Sequence, residues 1–143
     1  MKARRSKPSD LDEVLRIEGK YSTTAHWSRR QISEELSAEA SVFLVAESDA
    51  GDLAGFLIAR RYPPNLEVLD IAVAAQRQGV GRFLMESLIA QAQGCDTITL
   101  EVSEQNRAGL EFYRALGFTV VGKRPSFYPD GSAAILLDLK LSA

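Results

Sequence analysis

The chain has 143 residues, 45% of them hydrophobic and 25% charged, which is typical of one globular domain with a sizeable core. The formal charge of −2 argues against a nucleic-acid partner, because no general basic field surrounds the protein. No apolar run approaches the roughly 20 residues of a membrane span. A single cysteine, Cys95, excludes an intrachain disulfide. We therefore expect a cytoplasmic protein with one domain over residues 1–143 and no membrane partner.

The first third of the chain is predicted to hold one short strand and two helices. The strand covers residues 2–6. Ser9 is expected to cap the first helix, which has acidic residues in its first turn and ends at Gly19. Ser28 and Gln31 fit a capping box at the start of the second helix.

The remaining chain alternates strands with helices. Two apolar runs at 42–46 and 53–59 flank a turn and predict a hairpin. The later elements are a strand, a helix, a strand, a helix and two strands, at 67–74, 79–92, 97–103, 107–116, 118–124 and 133–141. This order predicts an α/β (α+β) domain with a mixed sheet and helices on both faces. Each β-α-β pass is expected to pair its two strands in parallel.

A glycine-containing turn joins the strand near 69–73 to the next helix. Such a turn presents unpaired main-chain N–H groups beside the positive end of the helix dipole, and that arrangement binds phosphate. A dinucleotide fingerprint needs a third glycine where Leu84 stands, and a P-loop needs Lys and Ser or Thr after Gly81. Because both nucleotide motifs fail, the turn indicates either another phosphorylated ligand or a tight helix entrance without a ligand.

A second polar pattern lies on the helix predicted at 107–116. Asn106 and Tyr113 are seven residues apart, about two helical turns, so they share one face with Gly109 between them. An amide, a bare gap and a phenol in a row favour a binding surface over plain core packing.

Together these segments resemble the GNAT superfamily of acetyl-CoA-dependent N-acetyltransferases, and most of all its ribosomal-protein N-terminal-alanine acetyltransferases. The resemblance covers nearly the whole chain. It is densest in four pieces, which are 71–73, 76–82, 100–102 and 106–118. Weaker likenesses are Trp27-Ser28 and Arg124 with Tyr128-Pro129.

The resemblance implies a single-domain GNAT fold with about seven strands, mixed and largely antiparallel, and about four helices on both faces of the sheet. The strands near 69–74 and 97–103 would splay apart. Acetyl-CoA would enter this opening as the cosubstrate, and no metal is implied.

The resemblance also implies which residues bind acetyl-CoA. The segment Ile71, Ala72 and Val73 would bind the pantetheine arm, with main-chain bonds at Ile71 and Val73, and Asn106 and Tyr113 would contact acetyl-CoA as well. The pyrophosphate would lie on the N–H groups of Arg77, Gln78, Gly79, Val80, Gly81 and Arg82.

Glu101 and Tyr113 are the expected catalytic residues. Glu101 alternates with Thr99 on the polar face of its strand and would take a proton from the acceptor amine. Tyr113 would protonate the departing CoA thiolate, since tyrosine and thiol pKa values lie within about two units of each other. Asp70, on the adjoining strand, is a rival base, and the N–H of Val73 would polarise the thioester carbonyl.

The acceptor implied by the resemblance is the N-terminal α-amine of a protein, such as a ribosomal protein. A lysine, a polyamine or another small amine remains an alternative, and so does a CoA-binding sensor module without turnover. Arg60, Arg61 and Arg124 argue mildly against a polyamine. The oligomeric state stays open. The loops expected to contact the acceptor are 19–28, 60–67 and 124–133.

The chain departs from the nearest subgroup in three places. The link Ala74-Ala75 before the glycine turn is shorter than usual, which bears on the N–H groups that reach the phosphate. His26 stands where the subgroup has proline, and Ala133-Ala134 stands where it has Asp-Ala. The last two positions bear on acceptor recognition.

Overall fold

The fold is known from a computed structural model, which describes residues 1–21, 27–76 and 78–141, with residues 20 and 21 described by their main chain alone. Two residues that the sequence singles out, His26 and Arg77, lie outside the described residues.

The observed elements follow the predicted order. The strands are β1 (Lys2–Arg5), β2 (Ser41–Glu47), β3 (Leu53–Tyr62), β4 (Asn65–Val73), β5 (Thr97–Ser103), β6 (Thr119–Arg124) and β7 (Ala134–Lys140). The helices are α1 (Leu11–Tyr21), α2 (Arg29–Ser37), α3 (Val80–Ile89) and α4 (Arg107–Ala115), and a single 3-10 turn at Pro8–Asp10 precedes α1.

One sheet contains all seven strands, in the order β1-β2-β3-β4-β5-β7-β6. The neighbours β4 and β5 are parallel, and every other neighbouring pair is antiparallel. The predicted seven-stranded, mixed and largely antiparallel sheet is therefore confirmed. The expected parallel pairing in the second β-α-β pass is wrong, because β7 returns between β5 and β6 and pairs with both.

The sheet splits between β4 and β5, as predicted. The two strands pair only at Asn65–Thr97, Leu66–Ile98 and Glu67–Thr99, and their ladder ends there. On its other side β4 carries an irregularity, where Ile58 of β3 faces Asp70 and the next residue faces Val68. Such a bulge bends the strand that carries it. The later half of β4 therefore diverges from β5 and leaves an opening.

Two apolar layers cover the two faces of the sheet. Val42, Leu44 and Ala46 of β2 face α3, which contributes Leu84 and Leu88 to the same layer. The alternate residues of β2 pack on the opposite face with Val14 and Ile17 of α1 and Ile32 of α2. Because successive side chains of a strand point to opposite faces and both faces are covered, β2 is apolar from Val42 to Ala46.

The first helix differs from its predicted ends. Asp10, rather than Ser9, makes the side-chain hydrogen bond at the start of the first helix, where its carboxylate accepts the N–H of Lys7 at 2.7 Å. The helix then continues through Gly19 to Tyr21. At the second helix the capping box is confirmed: Ser28 Oγ accepts from Gln31 N at 3.1 Å, and Gln31 Oε1 accepts from Ser28 N at 2.8 Å.

Candidate active site

The split between β4 and β5 opens into a small cavity of about 30 Å³. The two strands and the start of α4 form its walls. Its lining residues include Asp70, Ile71, Glu101, Val102, Asn106 and Tyr113. The structure therefore brings together Glu101, Tyr113 and Asn106, three residues predicted to share a site from separate segments of the sequence.

The main chain of β4 points polar groups into this opening. Ala74 N donates to Ala54 O of β3 at 2.8 Å, which makes these two residues a hydrogen-bonded antiparallel pair. Along such a ladder successive residues direct their N–H and C=O groups to opposite sides. Ala72 therefore points these groups toward β3, whereas Ile71 and Val73 point theirs away from β3, toward the split. This is the geometry that an added extended chain needs.

The N-terminus of α3 lies beyond the end of β4. The first hydrogen bond inside the helix runs from Phe83 N to Gly79 O at 3.0 Å. The N–H groups of Val80, Gly81 and Arg82 therefore have no partner within the helix, as at any helix start. These are three of the N–H groups predicted to bind pyrophosphate, and they stand at the positive end of the dipole.

The two glycines of the turn have separate structural reasons. Gly79 caps α3 with a φ of +75°, a left-handed conformation that favours glycine, and a Cβ there would meet open space. A Cβ on Gly81 would lie 3.1 Å from the ring of Phe112 on α4. Backbone conformation explains Gly79 and helix packing explains Gly81, so neither glycine requires an anion for its presence.

Asn106 acts as the cap of α4. Its Oδ1 accepts the N–H of Gly109 at 2.9 Å, and a Cβ on Gly109 would lie 2.4 Å from Asn106 Nδ2. The predicted bare gap at Gly109 is therefore wrong, because the amide of Asn106 fills that space. Asn106 nevertheless lines the small cavity together with Tyr113.

Tyr113 is buried behind the cavity, with 9% of its surface exposed. Its ring packs edge-on against Phe112 and Phe118, with centroid distances of 5.2 and 5.6 Å. Burial, with a smaller contribution from the charge of Asp70, raises the pKa of Tyr113 above its usual value of 10.0. The hydroxyl therefore keeps its proton at neutral pH and is available as a donor.

A larger groove of about 420 Å³ lies on the face of the sheet that carries α1 and α2. Polar residues of β4, β5 and β7 form part of its floor, and aromatic and aliphatic side chains form its walls. The lining residues are Trp27, Glu67, Val68, Leu69, Thr99, Leu100, Glu101, Val121, Arg124, Tyr128, Leu136 and Asp138. Burial and the charge of Glu101 raise the pKa of Tyr128 in its wall.

The groove and the small cavity meet at a common wall. Val68, Leu69, Leu100 and Glu101 line both spaces. The rival base, Asp70, lines only the small cavity, and it is 3% exposed. Among the carboxylates of the described residues, Glu101 is therefore the one that lines the groove and the cavity together.

The described part of the groove is mainly acidic. Glu67, Glu101 and Asp138 line it together with one cation, Arg124. Arg60 instead binds Glu35, which is a residue of α2. Arg61 donates to the carbonyl oxygen of Gln93 at 3.0 Å. Of the three arginines that argue against a polyamine, Arg124 therefore lines this groove, whereas Arg60 and Arg61 do not.

Sequence reasoning missed the contributions of Asp138, Val121 and Leu136 to the groove, whereas Glu67 ends the 60–67 segment expected to contact the acceptor. Asp138 faces Thr99 across β7 and β5, and Leu136 faces Glu101. These neighbours depend on the insertion of β7 beside β5. The available signal was the alternation of polar residues along β5, which places Thr99 and Glu101 on one face but does not identify the adjoining strand.

Within 1–21, 27–76 and 78–141, no group of three or more His, Cys, Asp or Glu side chains is arranged to hold a metal ion. No helix in these ranges has the length and apolar character needed to cross a membrane.

Comparisons with known proteins show the family to which this chain is related. The family model described as Acetyltransferase (GNAT) family matches residues 10–118. The ribosomal protein bS18-alanine N-acetyltransferase of Escherichia coli is 32% identical over 144 residues, covering 94% of this chain and 93% of that protein. The crystal structure of the Escherichia coli ribosomal-protein alanine N-acetyltransferase superposes with a TM-score of 0.89 at 30% identity, covering 99% of this chain and 94% of that one.

A further relative is longer than this chain. The uncharacterized protein ML0378 of Mycobacterium leprae is 32% identical over 133 residues, which are 88% of this chain and 36% of that protein. The chain thus spans about a third of this relative and nearly all of the Escherichia coli one.

Proposed function

The chain belongs to the acetyltransferase (GNAT) family and is an N-acetyltransferase, and from this premise we propose that it transfers the acetyl group of acetyl-CoA to the N-terminal α-amine of a protein, such as a ribosomal protein. Glu101 serves as the base and Tyr113 as the acid. The family resemblance that the sequence indicates is confirmed by the match to the family model.

The observation that carries this proposal is the common wall of the two cavities. A donor bound in the split between β4 and β5 and an acceptor bound in the groove meet at Glu101, which lines both spaces. Direct transfer needs two substrates held within reach of one another, so that a bimolecular step proceeds within one complex. The two openings supply that arrangement from opposite faces of the sheet.

The donor side fits acetyl-CoA by its main-chain groups. Ile71 and Val73 offer the N–H and C=O groups that an extended pantetheine arm pairs with, as a further strand does. The start of α3 offers the N–H groups of Val80, Gly81 and Arg82 to a pyrophosphate. Asn106 lines the cavity, where it would contact the part of the pantetheine arm that the main chain of β4 does not bind. Gln78 and Arg77 extend the phosphate turn in sequence.

The reaction assigns one proton to each catalytic residue. Glu101 accepts a proton from the acceptor's ammonium group, which frees the nitrogen lone pair that bonds to the acetyl carbon, and the second nitrogen proton passes to solvent as the amide forms. Tyr113 donates to the sulfur of CoA as the carbon–sulfur bond breaks, and its raised pKa ensures that it carries a proton when needed. The N–H of Val73, which points into the split, stabilises the charge that develops on the carbonyl oxygen.

Glu101 is favoured over Asp70 as the base because of its position. An amine that arrives through the groove meets Glu101 first, whereas Asp70 is buried and lines only the inner cavity. Asp70 acts instead on Tyr113, since its negative charge contributes to the raised pKa of the phenol. This assigns the two carboxylates different tasks.

A small cationic amine is the second candidate acceptor. Glu67 and Asp138 add negative charge to the floor of the groove, and the arginines Arg60 and Arg61 lie elsewhere. Opposite charge favours the binding of a polyamine as well as a peptide that begins with an ammonium group. The protein N-terminus remains the first choice because of the similarity to an enzyme named for ribosomal-protein acetylation.

A mass-spectrometric screen with acetyl-CoA tests the proposal. N-terminal peptides, peptides with a blocked N-terminus and an internal lysine, and polyamines are offered separately to the enzyme. We expect acetylation of the free α-amine of N-terminal peptides. Acetylation confined to lysine side chains or to polyamines would refute the N-terminal assignment, and CoA binding without any transfer would favour a sensor module.

A further inference from the structure

Among the described residues that line the acceptor groove, Arg124 is the one cation, and it contacts the residue assigned as base. Nη2 of Arg124 lies 3.3 Å from Oε1 of Glu101. The guanidinium carbon also lies 5.6 Å from the centroid of the Phe127 ring, within the range of a cation–π contact. The guanidinium thus has two neighbours, a carboxylate toward the reaction centre and an aromatic ring away from it.

The acceptor brings a positive charge to the same carboxylate. At neutral pH an α-amine, with a pKa of about 7.7–8.0, is mostly an ammonium ion, and a lysine or a polyamine is more fully so. An ammonium group that reaches Glu101 must compete with the guanidinium already bound there. We propose that Arg124 is a specificity residue, a displaceable counterion that holds Glu101 in the free enzyme and leaves it when the acceptor's ammonium binds. This inference rests on the proposed function.

The exchange is feasible because the ion pair is exposed. The side chain of Arg124 is 57% exposed and that of Glu101 is 33% exposed. Ion pairs of this kind are weak, so an incoming ammonium replaces the guanidinium without a large barrier in free energy. Arg124 is also the last residue of β6, which is an edge strand paired with β7 alone. The side chain of Arg124 can therefore move against Phe127 without displacing a second neighbouring strand.

The displaced arginine discriminates among acceptors. A positively charged amine replaces Arg124 at Glu101 charge for charge, whereas a neutral group that enters the groove leaves the original pair in place. Glu67 and Asp138, which have no ion-pair partner among the described residues, keep the rest of the floor attractive to a cation. Arg124 therefore weakens the binding of every charged amine, and a ligand without charge does not displace it from Glu101.

Steady-state kinetics of the whole enzyme test this assignment. The probe is an N-terminal alanyl peptide without acidic or basic side chains. For Arg124→Gln we expect the KM for this peptide to fall about fivefold, the factor that corresponds to an exposed ion pair, with little change in kcat. Arg124→Lys restores most of the wild-type KM, because it restores the competing charge.

Lys123→Gln is the matched control. It removes one positive charge from the neighbouring position of β6, but Lys123 Nζ lies 3.6 Å from Oε1 of Glu104 and does not line the groove. Its KM should equal that of the wild type. A KM for Arg124→Gln equal to or above the wild-type value would overturn the assignment, as would a fall in kcat at unchanged KM. A wild-type enzyme that acetylates no amine would overturn the proposed function itself, and this inference with it.

Discussion

Glu101 lines both the groove and the small cavity, which is the position that a base for the acceptor amine requires. We expect Glu101→Gln to lower kcat/KM for an N-terminal peptide about tenfold at pH 7, where only about a tenth to a fifth of the amine is neutral. The deficit should narrow toward pH 9, because solvent then removes the proton that the variant cannot accept. Rates measured from pH 7 to 9 check this.

The comparison for Glu101 is Glu111→Gln, which alters an exposed carboxylate on α4 and should leave the rate unchanged. A deficit of constant size from pH 7 to 9 would contradict a role in proton removal. It would leave Glu101 as a group that binds the ammonium without accepting its proton.

Tyr113 packs between two aromatic rings and is proposed to act as the acid, and removal of its hydroxyl separates these two roles. Tyr113→Phe keeps the ring between Phe112 and Phe118, so the fold and the affinity for CoA should remain. We expect kcat to fall about 100-fold or more, because the departing thiolate loses its proton donor. Calorimetric titration with CoA and steady-state rates measure the two properties.

Tyr62→Phe removes a hydroxyl from a tyrosine that is 50% exposed and provides the control for Tyr113. Because burial raises the pKa of Tyr113, its ionisation should cause no loss of wild-type activity below about pH 10. A kcat for Tyr113→Phe within twofold of the wild type would assign the donation of this proton to water or to another group.

At the scale of elements, glycines decide how closely strands and helices approach the site. A Cβ on Gly55 of β3 would lie 2.8 Å from Ala72 O of β4 and 3.0 Å from Val80 Cγ1 at the start of α3. Gly55→Ala must therefore shift the end of β4 or the start of α3. We expect a loss of about 1–3 kcal/mol in the free energy of unfolding and weaker CoA binding, measured by urea unfolding and calorimetry.

The matched substitution is Gly19→Ala. Gly19 lies inside α1, where a Cβ would meet nothing within 4 Å, so alanine should raise the free energy of unfolding by about 0.5–1 kcal/mol. CoA binding should not change. If both variants bound CoA as the wild type does, the contact of Gly55 with β4 and α3 would not control the donor site.

The turn between β1 and α1 depends on one buried carboxylate. Asp10 is 8% exposed, accepts two hydrogen bonds from Arg4 at 2.8 and 2.9 Å, and accepts one from Lys7 N. The bond from Arg4, followed by that from Lys7, lowers the pKa of Asp10. Its contribution to stability is therefore complete above the unfolded pKa of about 3.9 and is lost as the pH falls.

Asp10→Asn should accordingly lower the free energy of unfolding by about 1–3 kcal/mol at pH 7, and the difference should shrink below about pH 4. Urea unfolding at both pH values measures it. Asp12→Asn, at a carboxylate whose side chain is 85% exposed, should change stability by less than about 0.5 kcal/mol at either pH. Equal losses for Asp10→Asn at both pH values would contradict the lowered pKa.

At the scale of the whole molecule, local signals predicted the elements and the two candidate catalytic residues that line one cavity, but not their neighbours on adjoining strands. Alternation, capping and glycine turns act over a few residues, and they place β5 over its observed range and Glu101 on its polar face. The position of β7 between β5 and β6 is set by pairing between distant segments. The groove residues Leu136 and Asp138 depend on that order, so no local pattern indicated them.

The same topology leaves the molecule as two strand groups joined across the split. Strands β1–β4 and β5–β7 share a ladder of three residue pairs, from Asn65–Thr97 to Glu67–Thr99. A ligand held in the split contacts both groups, so it should act on the molecule as a clamp. CoA at 100 times its Kd should raise the free energy of unfolding by about 2.7 kcal/mol.

Hydrogen exchange distinguishes a clamp in the split from binding elsewhere. In the free protein the N–H groups of Ile71 and Val73 point away from β3, past the end of the β4–β5 ladder, so we expect them to exchange fast. CoA should slow these two amides and those of Val80–Arg82 well beyond the general stabilisation. The amide of Val45, inside the β1–β3 ladders, is the internal reference. A uniform slowing at all of these amides would contradict a donor site in the split, because the ligand would then act only through global stability.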